Sequence, residues 1–114
     1  VEDDKLVREY VLTQLQSLGY VTLEAANAAE ALAIVDASQP FNLLFTDVIM
    51  PGGMTGIELA RRCERDHPDM RIVLTSGYAG EDVDAALADA PWPFVRKPYS
   101  GRQLAAVLGD GDPA

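Results

Sequence analysis

Three short apolar runs, Leu43-Leu44-Phe45, Ile72-Val73-Leu74 and Phe94-Val95, each give way within two residues to polar groups: Thr46-Asp47, Thr75-Ser76 and Lys97. Runs of this length without internal alternation suit strands buried on both faces, as in a parallel sheet. The segments between them carry helical rather than alternating periodicity. That succession restricts the chain to the α/β class with a mostly parallel sheet. At 114 residues it is one domain, able to bury roughly two-thirds of its unfolded surface.

The helical segments announce their own ends. Val7, Val11, Leu15 and Leu18 recur at helical spacing and Gly19 is a natural stop, which predicts a helix from Lys5 to Leu18. Asn27 with Glu30 predicts the capped start of an Ala-rich helix to about Ser38, which Pro40 cannot continue. Thr55 with Glu58 caps a helix to Asp66, and Ser100 with Gln103 caps one through Leu108. Glu81 to Ala88 reads as an acidic helix, and Tyr20 to Glu24, where Val21 and Leu23 alternate with polar neighbours, as a short strand. Cys63 falls on the apolar side of its helix as core filler, His67 in a loop, and residues 109–114 form a flexible tail.

Eighteen Asp and Glu against nine Lys and Arg give a net charge of −9. Such a surface repels phosphate backbones and anionic lipid heads, which argues against nucleic-acid or membrane binding by this segment. The single cysteine leaves no internal disulfide and no multi-cysteine zinc site, as expected of a cytoplasmic domain.

The candidate chemistry lies just past the strands. Glu2-Asp3-Asp4 follow the apolar Val1, Asp47 follows Leu43-Leu44-Phe45, Thr75 follows Ile72-Val73-Leu74 and Lys97 follows Phe94-Val95. In open α/β sheets ligands bind outside the carboxyl ends of the strands, so these groups converge. Clustered carboxylates repel and need a cation, Lys97 or protonation to coexist. Oxygen donors without His or Cys suit Mg²⁺.

These motifs, Glu2-Asp3-Asp4, Thr46-Asp47-Val48-Ile49-Met50-Pro51 with Gly56, Leu74-Thr75-Ser76-Gly77-Tyr78 and Val95-Arg96-Lys97-Pro98, resemble the receiver domain of two-component response regulators. The resemblance spans essentially the whole chain, with residues 1–108 as the receiver domain. It implies a doubly wound five-stranded parallel sheet in the order 2-1-3-4-5, whose first strand is reduced here to Val1, so that more chain is expected upstream. It also implies that Asp47 is the phosphoacceptor, that Asp3 and Asp47 ligate Mg²⁺ directly, that Glu2 acts through metal-bound water, and that the Ile49 carbonyl completes the set. Thr75 and Lys97 would hold phosphoryl oxygens, and Thr75 with Phe94 would form the switch.

The implied donor is a histidine kinase or a histidine phosphotransfer protein. A second receiver copy is a further implied partner, docking on a face formed by the acidic helix, the last strand and the final helix near Trp92 and Phe94. Gly52-Gly53 lengthens the loop after Pro51 by one residue, a variant that resembles receivers attached to hybrid kinases. Such a domain catalyses only its own phosphorylation and dephosphorylation. A haloacid-dehalogenase-like phosphatase would want a second Asp two residues after Asp47, where Ile49 stands. A degenerate receiver that only binds proteins would not need the full set of site residues.

Overall fold

The structure, a computed structural model, describes residues 1–37, 42–49, 54–77 and 92–109. The Gly52-Gly53 insertion, the acidic segment Glu81–Ala88 and the tail from residue 110 lie outside the described residues. The elements run α1 (Lys5–Ser17), α2 (Ala28–Ala37), β1 (Leu43–Asp47), α3 (Gly56–Asp66), β2 (Arg71–Ser76), β3 (Phe94–Arg96) and α4 (Gly101–Gly109). The strands form one parallel sheet in the order β1-β2-β3.

Caps fix the helix starts where the sequence put them. The Thr55 hydroxyl accepts from the Glu58 N–H while Glu58 accepts from the Thr55 N–H, closing a capping box at α3. Ser100 and Gln103 make the same reciprocal pair at α4. The Glu30 N–H donates to Asn27 at α2, and Glu30 reaches back to the Ala26 N–H. At α1 the cap is Asp4, whose carboxylate accepts from the N–H groups of Leu6 and Val7. Asp4 is therefore committed to the helix rather than to the acidic cluster.

Because side chains alternate across a strand, the central sheet feeds two cores. Leu44, Ile72 and Leu74 pack with Ala28, Ala31, Leu59, Ala60 and Cys63 on the α2/α3 side. Val73 packs with Val11, Leu15, Tyr99, Leu104 and Leu108 on the α1/α4 side. Helices cover both faces, as a doubly wound sheet requires. Cys63 is buried filler, and His67 closes α3 through its N–H to the Cys63 carbonyl, both as expected.

One element departs from expectation. Tyr20–Glu24 is not a strand, and Val21 and Leu23 are exposed. A strand exists through its ladder, and among the described residues this segment's link to the sheet side is Glu2 N–H to the Ala25 carbonyl. Val1 in turn bonds β1, donating to the Phe45 carbonyl and accepting from the Asp47 N–H. Val1-Glu2 thus lies between Ala25 and β1, where the order 2-1-3-4-5 has its first strand.

Candidate functional site

The register of the sheet brings the polar strand ends together. Asp47 pairs with Thr75 across β1 and β2, and Thr75 with Val95 across β2 and β3. Past the last paired residues the backbone stays tied: the Val48 N–H donates to the Thr75 carbonyl (2.8 Å) and the Lys97 N–H to the Ser76 carbonyl (3.0 Å). Glu2, Asp47 and Thr75 are all buried, and Asp3 is exposed at the mouth.

The Lys97 ammonium bridges the two buried carboxylates, donating to Asp47 Oδ2 at 2.9 Å and to Glu2 Oε1. Carboxylate oxygens of Glu2, Asp3 and Asp47 lie within 4.8 Å of one another. Three carboxylates against one ammonium leave the cluster anionic. Burial pushes the Glu2 carboxyl above its ordinary range; hydrogen bonds from Lys97 and the Asp4 N–H oppose this, and the Asp47 charge adds to it. Burial alone would depress the Lys97 ammonium, but its hydrogen bonds to Glu2 and Asp47 outweigh that and raise its pKa. Lys97 is therefore a fixed cation.

Hard oxygen donors carrying excess negative charge fit a divalent ion such as Mg²⁺. A second feature fits a phosphoryl group. Thr75 Oγ1 is buried and has no hydrogen-bond partner among the described residues, a cost normally met by a ligand or an ordered water.

Glu2, Asp3, Asp47, Thr75 and Lys97 thus converge as expected. Ile49 is exposed two residues beyond Asp47, where the chain leaves β1. Phe94 opens β3 in register with Leu74 and packs half-buried against the α2/α3 core. The Trp92 indole N–H donates to Glu64 of α3 at 2.7 Å and the Arg61 guanidinium sits 5.6 Å from the centre of its ring, while the acidic segment expected to share its face lies outside the described residues.

Other contributors were not foreseen. The Gly56 N–H donates to the Val48 carbonyl (2.8 Å), and a Cβ on Gly56 would lie 1.9 Å from the Asp47 carbonyl oxygen. The start of α3 is thus pressed onto the backbone of Asp47, which only glycine permits. Its sequence signal is a glycine directly after a capping Thr. Tyr99 packs its ring edge-on to Phe45 and tilted against Tyr10, and burial followed by the charges of Glu2 and Asp47 holds its phenol protonated well above the ordinary range. Arg8 reaches Glu2 and Glu24 from α1, which no local pattern announces.

Comparison with known proteins gives the same site a family. Residues 1–109 match the response regulator receiver domain. The sensor kinase CckA of Brucella abortus is 39% identical over 95% of this chain, which spans 12% of that protein. The response regulator receiver protein CpdR of the same organism is 36% identical over 90% of this chain and 85% of its own length. Among solved structures, a CheY-like receiver domain protein from Methanospirillum hungatei superposes with a TM-score of 0.83 at 27% identity, covering 96% of this chain and 86% of that one. Among the described residues, no helix is long and apolar enough to cross a membrane.

Proposed function

Because this chain belongs to the response regulator receiver domain family, whose members accept a phosphoryl group on an aspartate in two-component signalling, we propose that Asp47 is its acceptor. The observation that carries this reading is Lys97 bridging Asp47 and Glu2 beside the Thr75 hydroxyl, which has no hydrogen-bond partner among the described residues. In it, Glu2, Asp3, Asp47 and the Ile49 carbonyl would hold Mg²⁺.

An Asp47 carboxylate oxygen attacks phosphorus in a phosphohistidine. The P–N bond breaks, its electron pair stays with the imidazole, and that nitrogen takes a proton from solvent. Mg²⁺, when bound, supplies positive charge to the phosphoryl oxygens. Lys97 shifts from its two carboxylates to pair with the new group, and the Thr75 hydroxyl gains the acceptor it lacks. Phosphoryl transfer needs little else from a protein besides this positioning.

Thr75 moving toward the phosphoryl group vacates space next to β3, and Phe94 turns inward to fill it. Phe lacks a hydroxyl to satisfy, so its two positions differ chiefly in apolar burial and the switch rests on packing. The donor in this reading is a cytoplasmic histidine kinase or histidine phosphotransfer protein, in keeping with the sensor kinase and the regulator among its relatives.

The test mixes the intact protein with a small acyl phosphate and Mg²⁺ and weighs it. Wild type should gain one phosphoryl group, and Asp47→Asn, isosteric but unable to form an acyl phosphate, should gain none. An undiminished adduct in the variant moves the acceptor elsewhere.

A further inference from the structure

We propose that Arg8 is a positioning residue for the acidic pocket, holding the Glu2–Asp3 peptide so that both carboxylates face a divalent cation. The inference rests on the metal reading above. Arg8 stands one turn into α1, where its N–H bonds the Asp4 carbonyl. Its guanidinium turns back over the start of the chain: Nη1 donates to the Glu2 carbonyl at 2.7 Å, and Nε to Glu24 Oε1 at 3.3 Å. The Arg8 side chain is only 18% exposed and its bond to the Glu2 carbonyl is partly buried, whereas Glu24 is 54% exposed.

The carbonyl that Arg8 grips belongs to the peptide joining Glu2 to Asp3. The orientation of that plane decides where the two carboxylates leave the backbone. The Glu2 N–H is already bound to the Ala25 carbonyl, so Arg8 completes the restraint of Glu2. Beyond Asp3 the Asp4 N–H donates to Glu2 Oε2, and Asp4 caps α1. Asp3 is thus suspended between two fixed peptides, one of them fixed by Arg8. A planar guanidinium can serve a carbonyl and a carboxylate at once, which an ammonium on a flexible stem does poorly. Partners of metal ligands of this kind commonly change metal affinity by 10–100-fold when removed.

The sign of the effect separates this role from the alternatives. Arg8 carries positive charge near the pocket, so if it acted through its field alone, removing it would tighten cation binding. If it only braced α1 against Glu24, metal affinity in the folded protein would not change. Orientation alone predicts weaker binding when Arg8 is lost.

The experiment is calorimetric titration of the intact protein with Mg²⁺ at fixed ionic strength, for wild type, Arg8→Met, Arg8→Lys and Glu24→Gln, at a temperature where circular dichroism reports all of them folded. Arg8→Met, which keeps the apolar stem, should weaken Mg²⁺ about tenfold, and the other two by smaller factors. Tighter or unchanged binding in Arg8→Met overturns the proposal. If that variant does not fold, Arg8→Lys and Glu24→Gln decide: weaker binding in both supports the role, and unchanged binding in both overturns it. Wild type taking up no Mg²⁺ overturns the metal reading itself, whereas binding in wild type undisturbed by these variants removes Arg8 alone.

Discussion

Asp47, Thr75 and Lys97 enter the pocket from strands laddered to one another, whereas Glu2 and Asp3 enter it from a bridge held by isolated hydrogen bonds. On the strand side each backbone position is over-determined. The Val48 and Lys97 N–H groups extend the ladder past its last pairs, and Gly56 presses α3 onto the Asp47 carbonyl. On the amino-terminal side the described residues show bonds to Ala25, to β1 and from Arg8. The laddered side is the rigid one and the amino-terminal side, with fewer bonds among the described residues, the adjustable one. In the proposed reading Asp47 on the rigid side serves the phosphoryl group and the cation alike.

The largest test strikes the rigid side. Gly56→Ala puts a methyl where 1.9 Å separates it from a carbonyl oxygen, so the backbone of Asp47 or of α3 must move. Overpacking against backbone costs about 3 kcal/mol, equivalent to a drop in Tm of about 10 °C or more. Calorimetry showing less than a few degrees would mean that α3 slides freely over Asp47 and that this side is no more fixed than the other.

Next in size is the cation that spans both sides. Lys97→Ala leaves Glu2 and Asp47 facing one another without their shared partner. The side chain is 20% exposed, so the loss in metal-free buffer should fall below the fully buried case, at about 2 kcal/mol. Mg²⁺ should then restore more stability to the variant than it adds to wild type, because a cation replaces the missing ammonium. Equal gains in the two proteins would detach Lys97 from the charge balance of the pocket.

What the sequence disclosed and what it hid follow the same line. Helix starts were legible because Thr55 with Glu58 and Ser100 with Gln103 close hydrogen bonds within one turn, which composition alone encodes. Strand ends were legible because an apolar run that stops at Asp47 or Thr75 marks where burial stops. Arg8 was not, since its partner Glu24 lies sixteen residues away and is brought near only by the packing of the folded chain. The Trp92 contact with Glu64 was not legible either, since a residue just before a strand carries no alternation to say what it meets. Tyr20–Glu24 has a strand's alternation, but alternation does not by itself supply the partner strand that a ladder needs.

A smaller effect probes the adjustable side. If Mg²⁺ binds with about millimolar affinity, a tenfold excess adds about 1.4 kcal/mol to stability by mass action. Asp3→Ala should lose most of that gain and in chelator be no less stable than wild type, since it takes one carboxylate out of an anionic cluster. Equal Mg²⁺-induced thermal shifts in the two proteins would remove Asp3 from the ligand set and leave the amino-terminal side without its open carboxylate.

The smallest effect is the one expected where the sequence reading and the structure part. Were Tyr20–Glu24 a covered strand, Leu23 would belong to a core, and cutting a core leucine down to a small residue costs about 2–5 kcal/mol. In the structure Leu23 is 61% exposed and Val21 is 99% exposed, so neither has packing to lose. Leu23→Ser and Val21→Ser should each stay within about 0.5 kcal/mol of wild type in urea unfolding, with unchanged m-values. A loss above about 2 kcal/mol in Leu23→Ser would mean that Leu23 is packed in solution, and that the segment flanking Glu2 is held as firmly as the strand side.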